Sequence, residues 1–163
     1  MTEAEWMNEA LRLAEQAGRE GEIPIGAVVV DRDGVIIGRG RNARESGDPL
    51  GHAEMYAIAE AAKAIGGWRL SGTTLVVTLE PCAMCAGAIV NARVDRVIFG
   101  APDPKAGFCG TLGNLVQDPR LNHRVELIGG FEEERSRALL QAFFQDLRKR
   151  KFADPRSPLT SGK

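Results

Sequence analysis

Two short clusters in this chain carry residues able to do metal chemistry: His52-Ala53-Glu54 and, further along, Pro81-Cys82-Ala83-Met84-Cys85. Positions i and i+3 share a helix face, so Cys82 and Cys85 can grip one ion from a single turn. His52 offers an imidazole as third ligand. Two sulfurs and one nitrogen leave a tetrahedral ion one open position for water, and that opening separates a catalytic zinc site from a structural one. Glu54 lies two residues beyond the histidine. Side chains on a helix lean toward its N-terminus, so an ion just off the helix start can be met by both residues. Zinc, a water and a carboxylate beside that water make a hydrolytic site.

Either cluster alone says less. A lone Cys-x-x-Cys is as readily a redox motif or a structural zinc corner as a catalytic one, and a lone His-x-Glu is nearly silent. Here each stands at an expected helix start ahead of an apolar run, and no aromatic-Cys-Gly-Pro setting of a thioredoxin-like site accompanies them. H-x-E followed by P-C-x-x-C is the joint signature of zinc deaminases.

The elements that must position these residues are readable in outline. Thr2 and Glu5 form a capping box, and Trp6, Ala10, Leu13, Ala14 and Ala17 recur at helical spacing until Gly18 and Gly21. Residues 25–30 and 35–39 read as a hairpin, with Asp33-Gly34 in its turn. A polar loop, 41–51, delivers the chain to His52. The second helix shows Met55, Ile58, Ala59, Ala62 and Ile65 as the face tied to the core, and Gly66-Gly67 ends it. After a strand over 73–79, Pro81 suits the first position of a helix that is apolar nearly all round through Val90 and is expected to be buried. A strand over 94–100, a Gly- and Pro-rich loop over 101–123 and a strand over 124–128 follow. Glu132, Glu133 and Glu134 open a last helix with Leu139, Leu140, Phe143, Phe144 and Leu147 as its stripe, closed by Arg148 to Lys151. Strands alternating with helices predict an α/β fold with a mixed central sheet and helices on both faces. One domain is expected over 1–152, with a flexible tail over 153–163.

Composition narrows the function classes. The 163 residues carry a net charge of −1, so no global field attracts nucleic acid and any RNA contact needs a local basic patch. Apolar residues at 44% and charged residues at 26% are an ordinary globular balance. Three cysteines, two of them assigned to a metal, argue against a disulfide framework and for a reducing compartment. No apolar run reaches membrane-span length and no leader pattern opens the chain, so the expected location is cytoplasmic.

Gly26-Ala27-Val28, Asn42, His52-Ala53-Glu54-Met55, Trp68-Arg69-Leu70, Thr78-Leu79-Glu80-Pro81-Cys82-Ala83-Met84-Cys85-Ala86-Gly87-Ala88 and Asn122-His123-Arg124 together resemble the bacterial tRNA-specific adenosine deaminases. The resemblance runs over nearly the whole chain, from about Trp6 to about Lys151. It implies a cytidine-deaminase-like three-layer α/β/α sandwich with one zinc per subunit on His52, Cys82 and Cys85. It implies a hydrolase in which Glu54 moves protons while a wobble adenosine of a tRNA anticodon stem-loop, in an arginine tRNA, becomes inosine. A homodimer whose subunits both contact the anticodon loop is implied as well. Asn42, Ile25, Val28 and Ala53 fall at the family's substrate pocket, and Asp103, Lys105 and Gly107 where it touches nucleotides beside the target.

Plainer readings of these residues stay open at this point. Asn42 also suits a turn, Ile25, Val28 and Ala53 a core, and Asp103-Pro104-Lys105 a rigid solvated turn. Arg148, Lys149, Arg150 and Lys151 complement the end of a helix first and phosphate second. Cys109 reads as a small loop residue and not a fourth ligand, and His123 as a structural histidine. Leu50-Gly51 departs from the family's Thr-Ala, which predicts extra backbone freedom at the pocket floor. Phe108 can stack on a base or pack inward. Two rivals remain: a deaminase of a free base or nucleoside such as guanine, cytosine or cytidine, and a zinc-bearing RNA-binding subunit without activity. Glu54 argues against the second, and Asn42, Asp103-x-Lys105 and the basic helix end against the first.

Overall fold

The computed structural model describes residues 1–153. Of the expected tail only Ala153 falls within them, as the last residue of a helix; the rest lies outside the described residues. Thr2 opens α1 (Glu3–Arg19), its hydroxyl accepting the Glu5 amide at 3.3 Å and donating to the Glu5 carboxylate at 3.4 Å. The Thr2 half of the expected capping box is present, while the Glu5 carboxylate meets the Thr2 hydroxyl and not a backbone amide. The hairpin pairs β1 (Gly26–Val30) with β2 (Ile36–Arg41), each starting one residue later than the hydrophobic pattern suggests. In its turn Asp31 Oδ1 accepts the amides of Asp33 and Val35, and Gly34 takes a φ of 80° that a side chain would strain.

β3 (Thr74–Leu79), β4 (Arg96–Ala101) and β5 (Glu126–Ile128) complete a mixed five-stranded sheet in the order β2-β1-β3-β4-β5. β1 is antiparallel to β2 and to β3, while β3, β4 and β5 run parallel. Parallel neighbours need crossovers. α2 (Ala53–Ile65) carries the chain from β2 to β3, α3 (Ala83–Ala92) from β3 to β4, and a long loop from β4 to β5. α4 (Glu133–Ala153) follows. Strand alternation sorts the core: Val28, Val30, Val76 and Ile98 pack with Trp6, Met7 and Leu11 of α1 and with Leu139 of α4. Ala27, Val29, Leu75, Val77 and Val97 pack with Ala57 and Ala61 of α2 and with Ile89 of α3. The result is the three-layer α/β/α sandwich, and burial on both faces is why β1 reads as an unbroken apolar run and β3 departs from one only at Thr74 and Thr78. No helix among the described residues is long and apolar enough to cross a membrane.

Three expectations about helices change. α2 buries Ala53, Ala57 and Ala61, while Met55, Ile58 and Ala62 are only half-buried and Ala59 and Ile65 are exposed. The cause lies in β2. A Cβ on Gly40 would stand 2.0 Å from the Ala53 carbonyl, and one on Gly38 would stand 2.2 Å from the Ala57 carbonyl, so glycines there admit the helix only by its alanine side. Pro81 does not begin α3; Cys82 is the N-cap in an extended conformation, and Pro81 precedes it. α3 is covered on one side only, with Ala83 and Asn91 exposed and Met84, Gly87 and Ala88 half-buried. α4 is anchored by the buried Ser136 over Gly100, and its expected apolar stripe is half-buried throughout.

Candidate metal centre and the cavity above it

Both ligand-bearing helices start at the same edge of the sheet, because α2 follows a loop and α3 follows β3 directly. His52 is the N-cap of α2 and Cys82 the N-cap of α3, and neither side chain caps its own helix. Asn42 Oδ1 accepts the Ala53 amide at 3.0 Å instead, which leaves the His52 ring free of that duty. The loop before His52 is stapled. Tyr56 donates its hydroxyl to Asp48 Oδ2 at 2.5 Å, the Leu50 amide reaches Asp48 Oδ1 at 2.9 Å, and the Glu45 amide reaches the buried Glu22 carboxylate at 2.9 Å.

These supports bring His52, Cys82 and Cys85 together, their donor atoms all within 4.8 Å of one another. His52 Nδ1 lies 3.5 Å from Cys82 Sγ and 3.5 Å from Cys85 Sγ. A tetrahedral ion with metal–sulfur and metal–nitrogen bonds of about 2.3 and 2.0 Å spaces its ligands by roughly 3.5 Å. The geometry and the donor set therefore suit a metal. The two thiols are driven apart, with the proton kept on Cys85: the Cys85 thiol and then His52 pull Cys82 down to about 3, while contact with Cys82 and burial push Cys85 well above the ordinary thiol range. A cation displaces such a proton on binding. His52 is raised above its ordinary value, chiefly by its contact with Cys82.

Glu54, the second residue of α2, is 4% exposed. Its carboxyl lies against the Cys85 thiol and its own amide, and burial pushes it up to about 7. Above these groups opens a cavity of about 590 Å³ lined by Ile25, Asn42, His52, Glu54 and Cys82, by Asp103 and Lys105 of the long loop, and by Arg137, Leu140 and Phe144 of α4. Two expected pocket residues sit elsewhere. Val28 points to the α1 face, across the sheet from the metal ligands, because even-numbered β1 residues face that way. Ala53 is wholly buried and contributes its amide to Asn42, without lining the cavity. Arg148 and Lys149 line a separate depression with Phe152 at the far end of α4, and Arg150 pairs with Asp146 at 3.0 Å.

The remaining residues resolve simply. Cys109 is buried in the core, outside the ligand group, and burial pushes its thiol up to about 12. His123 Nε2 lies 2.7 Å from the Val94 carbonyl, a structural contact. Phe108 packs inward. Gly51 is not a point of freedom: a Cβ there would meet the Asp48 carbonyl at 2.9 Å and Ala43 backbone at 3.0 Å. Sequence reasoning passed over Arg44, Glu80, Arg137 and Phe144, all of which line the cavity. Only Glu80 carried a signal, a carboxylate closing an apolar strand immediately before the metal motif.

Residues 1–148 match the profile of the MafB19-like deaminase family. The chain is 54% identical over 155 residues to the tRNA-specific adenosine deaminase of Bacillus subtilis (strain 168), covering 94% of this chain and 96% of that one. A solved structure from work on A-to-I editing by tRNA deaminases at the wobble position of transfer RNA superimposes with a TM-score of 0.80 at 42% identity, covering 84% of this chain and 99% of that one. The guanine deaminase from Nitrosomonas europaea shares the fold, with a TM-score of 0.76 at 22% identity, over 87% of this chain and 84% of that one.

Proposed function

Because the chain belongs to the MafB19-like deaminase family and is a deaminase, we propose that it hydrolyses the wobble adenosine of a tRNA anticodon stem-loop, that of an arginine tRNA, to inosine with release of ammonia. The observation that carries the reading is the His52, Cys82 and Cys85 triangle with a buried carboxyl, Glu54, beside it at the floor of a cavity. One zinc per subunit suits two thiolates and an imidazole, and when bound it supplies Lewis acidity that brings the pKa of a water to about 7. Glu54 takes the proton of the attacking water and delivers it to a purine ring nitrogen, which makes C6 electrophilic. The water oxygen bonds to C6, Glu54 then takes the remaining hydroxyl proton and passes it to the exocyclic nitrogen, and the C6–N bond breaks as C6=O forms and ammonia leaves. A carboxyl poised near neutrality serves both directions of transfer.

Asn42 spends its carbonyl on the Ala53 amide, so its Nδ2 is the group left for the purine or its ribose. Ile25, Leu140 and Phe144 offer apolar walls, and Asp103 and Lys105 the polar rim for flanking nucleotides. A loop adenosine is already unpaired, so turning it out costs little. Arg148, Lys149 and Arg150 begin about one helical turn beyond Phe144, which lines the cavity, and suit phosphates of the stem. A homodimer accounts for apolar side chains that α2 and α3 leave uncovered, the exposed Ile65 and the half-buried Met55 and Met84 among them. The protein's place is the cytoplasm, where tRNA is processed.

Inosine formation and ammonia release from an anticodon stem-loop, set against free adenosine, guanine and cytidine, test the reading. The stem-loop should be converted and free adenosine should be poor, lacking the contacts that hold the base in place. Equal turnover of a free base or nucleoside would move the protein to the base-deaminase class, and binding without conversion would make it an RNA-binding subunit.

A further inference from the structure

Glu80 directly follows β3 and stands immediately before Pro81-Cys82, so its backbone is continuous with the metal-bearing turn. The side chain is 2% exposed. Its Oε1 accepts the Asp103 amide at 3.0 Å and the Thr111 hydroxyl at 2.5 Å. Oε2 accepts the amides of Cys109 at 3.0 Å and Thr111 at 3.1 Å. An ionised carboxylate has about four lone-pair sites. These four donors fill them, so Glu80 has no acceptor left for a substrate proton, although it borders the cavity. The charge is neutralised by one stretch of loop, in the manner of an anion in a backbone nest.

All four donors come from segment 103–111, and the segment is shaped for this. A Cβ on Gly107 would lie 2.4 Å from the Glu80 carboxyl carbon, so only glycine lets the loop wrap so closely. The Phe108 amide adds a bond to the Pro81 carbonyl at 2.9 Å. Asp103, held by its own amide, accepts the Lys105 amide on Oδ1 at 3.0 Å and so passes its position to Lys105.

We propose that Glu80 is the positioning residue of this loop: it holds segment 103–111 against the metal-bearing turn, and so sets where Asp103 and Lys105 meet the RNA relative to Glu54. The RNA half of this statement rests on the proposed tRNA reaction; the anchoring half does not. The test uses the full-length, zinc-loaded protein and its Glu80→Gln variant, which keeps volume but sets an amide group against amide donors. Thr111→Val, which removes a single donor, is the milder second variant.

Zinc content should be unchanged in both variants. Amide hydrogen exchange over 103–111 should quicken by about tenfold or more in Glu80→Gln and by less in Thr111→Val. KM for the anticodon stem-loop should rise on the order of tenfold to a hundredfold, with kcat at saturating RNA within about threefold. Turnover of free adenosine, which lacks the flanking nucleotides assigned to Asp103 and Lys105, should change by less than the stem-loop's KM does. An unchanged KM beside quickened exchange would reduce Glu80 to a merely structural role and overturn the proposal, as would zinc loss, or a collapse of kcat at constant KM. Should the unsubstituted protein prefer a free base, the tRNA reading falls, and the exchange rates over 103–111 then decide the anchoring: slow exchange in Glu80→Gln overturns it.

Discussion

At the scale of single residues, Glu54 and Cys82 separate chemistry from metal binding. Glu54 is not among the three donors that meet within 4.8 Å, so Glu54→Ala should keep its zinc and lose turnover by about 10²–10⁴-fold or more. Cys82→Ala should lose both metal and thermal stability, because binding and folding are linked. Elemental analysis with a melting curve on each variant checks both; zinc retained in Cys82→Ala would refute the ligand assignment. The burial that tunes Glu54 also has a stability consequence with a definite sign. Its folded carboxyl is raised from 4.5 to about 7, so the folded chain binds the proton more tightly than the unfolded one. Stability is therefore lost as pH climbs through that window, and the penalty is complete above it. Glu54→Gln carries no such penalty. Melts of chelator-treated protein should show its advantage growing from pH 4.5 to about 7 and then levelling; parallel curves would mean that Glu54 does not ionise there.

At the scale of elements, the site depends on how closely α2 lies on β2. His52 sits at the mouth of that helix, and Gly40 stands under its first turn. Gly40→Ala should cost about 1–3 kcal/mol by forcing α2 away from the sheet, and should weaken zinc retention by moving His52 from the two sulfurs. Gly87→Ala is the control. A Cβ there meets nothing within 4 Å, and alanine is the better helix former, so thermal melting should hold or rise slightly. Equal losses in the two variants would show that close helix approach is not what Gly40 provides. The Asn42 cap belongs to the same scale: it satisfies the first amide of α2 with a side chain that also borders the cavity, so one residue couples helix entry to the pocket.

At the scale of the whole molecule, net charge is −1, and affinity for RNA must come from where the cations are placed. Arg44, Lys105 and Arg137 border the cavity, while Arg148 and Lys149 lie at the far end of α4. If both groups touch phosphate, replacing Lys105 and Arg148 together by alanine removes two counterion-releasing contacts. The log–log salt dependence of stem-loop binding should then flatten by about one unit or more, with zinc content unchanged. Filter binding across a salt series measures the slope. An unaltered slope would leave the basic end of α4 with its other role, complementing the helix terminus.

The metal motif and the layered fold were legible in the sequence because both rest on short-range physics. A Cys-x-x-Cys spacing, a His-x-Glu at a helix start and short β-branched strands need only local geometry and burial to be read. Whatever depends on which surfaces meet was decided by the tertiary structure. Val28 falls on the far face because a strand alternates sides, and which parity faces the metal is set by the sheet's pairing and not by the residue. The buried side of α2 follows from glycines on another strand. Where Arg148 and Lys149 stand depends on the length of α4 beyond its anchor at Ser136. Glu80 looked like the end of a strand. Its meaning appears only when amides 23 to 31 residues away converge on its carboxylate, a long-range pairing of backbone with side chain that no spacing rule reports.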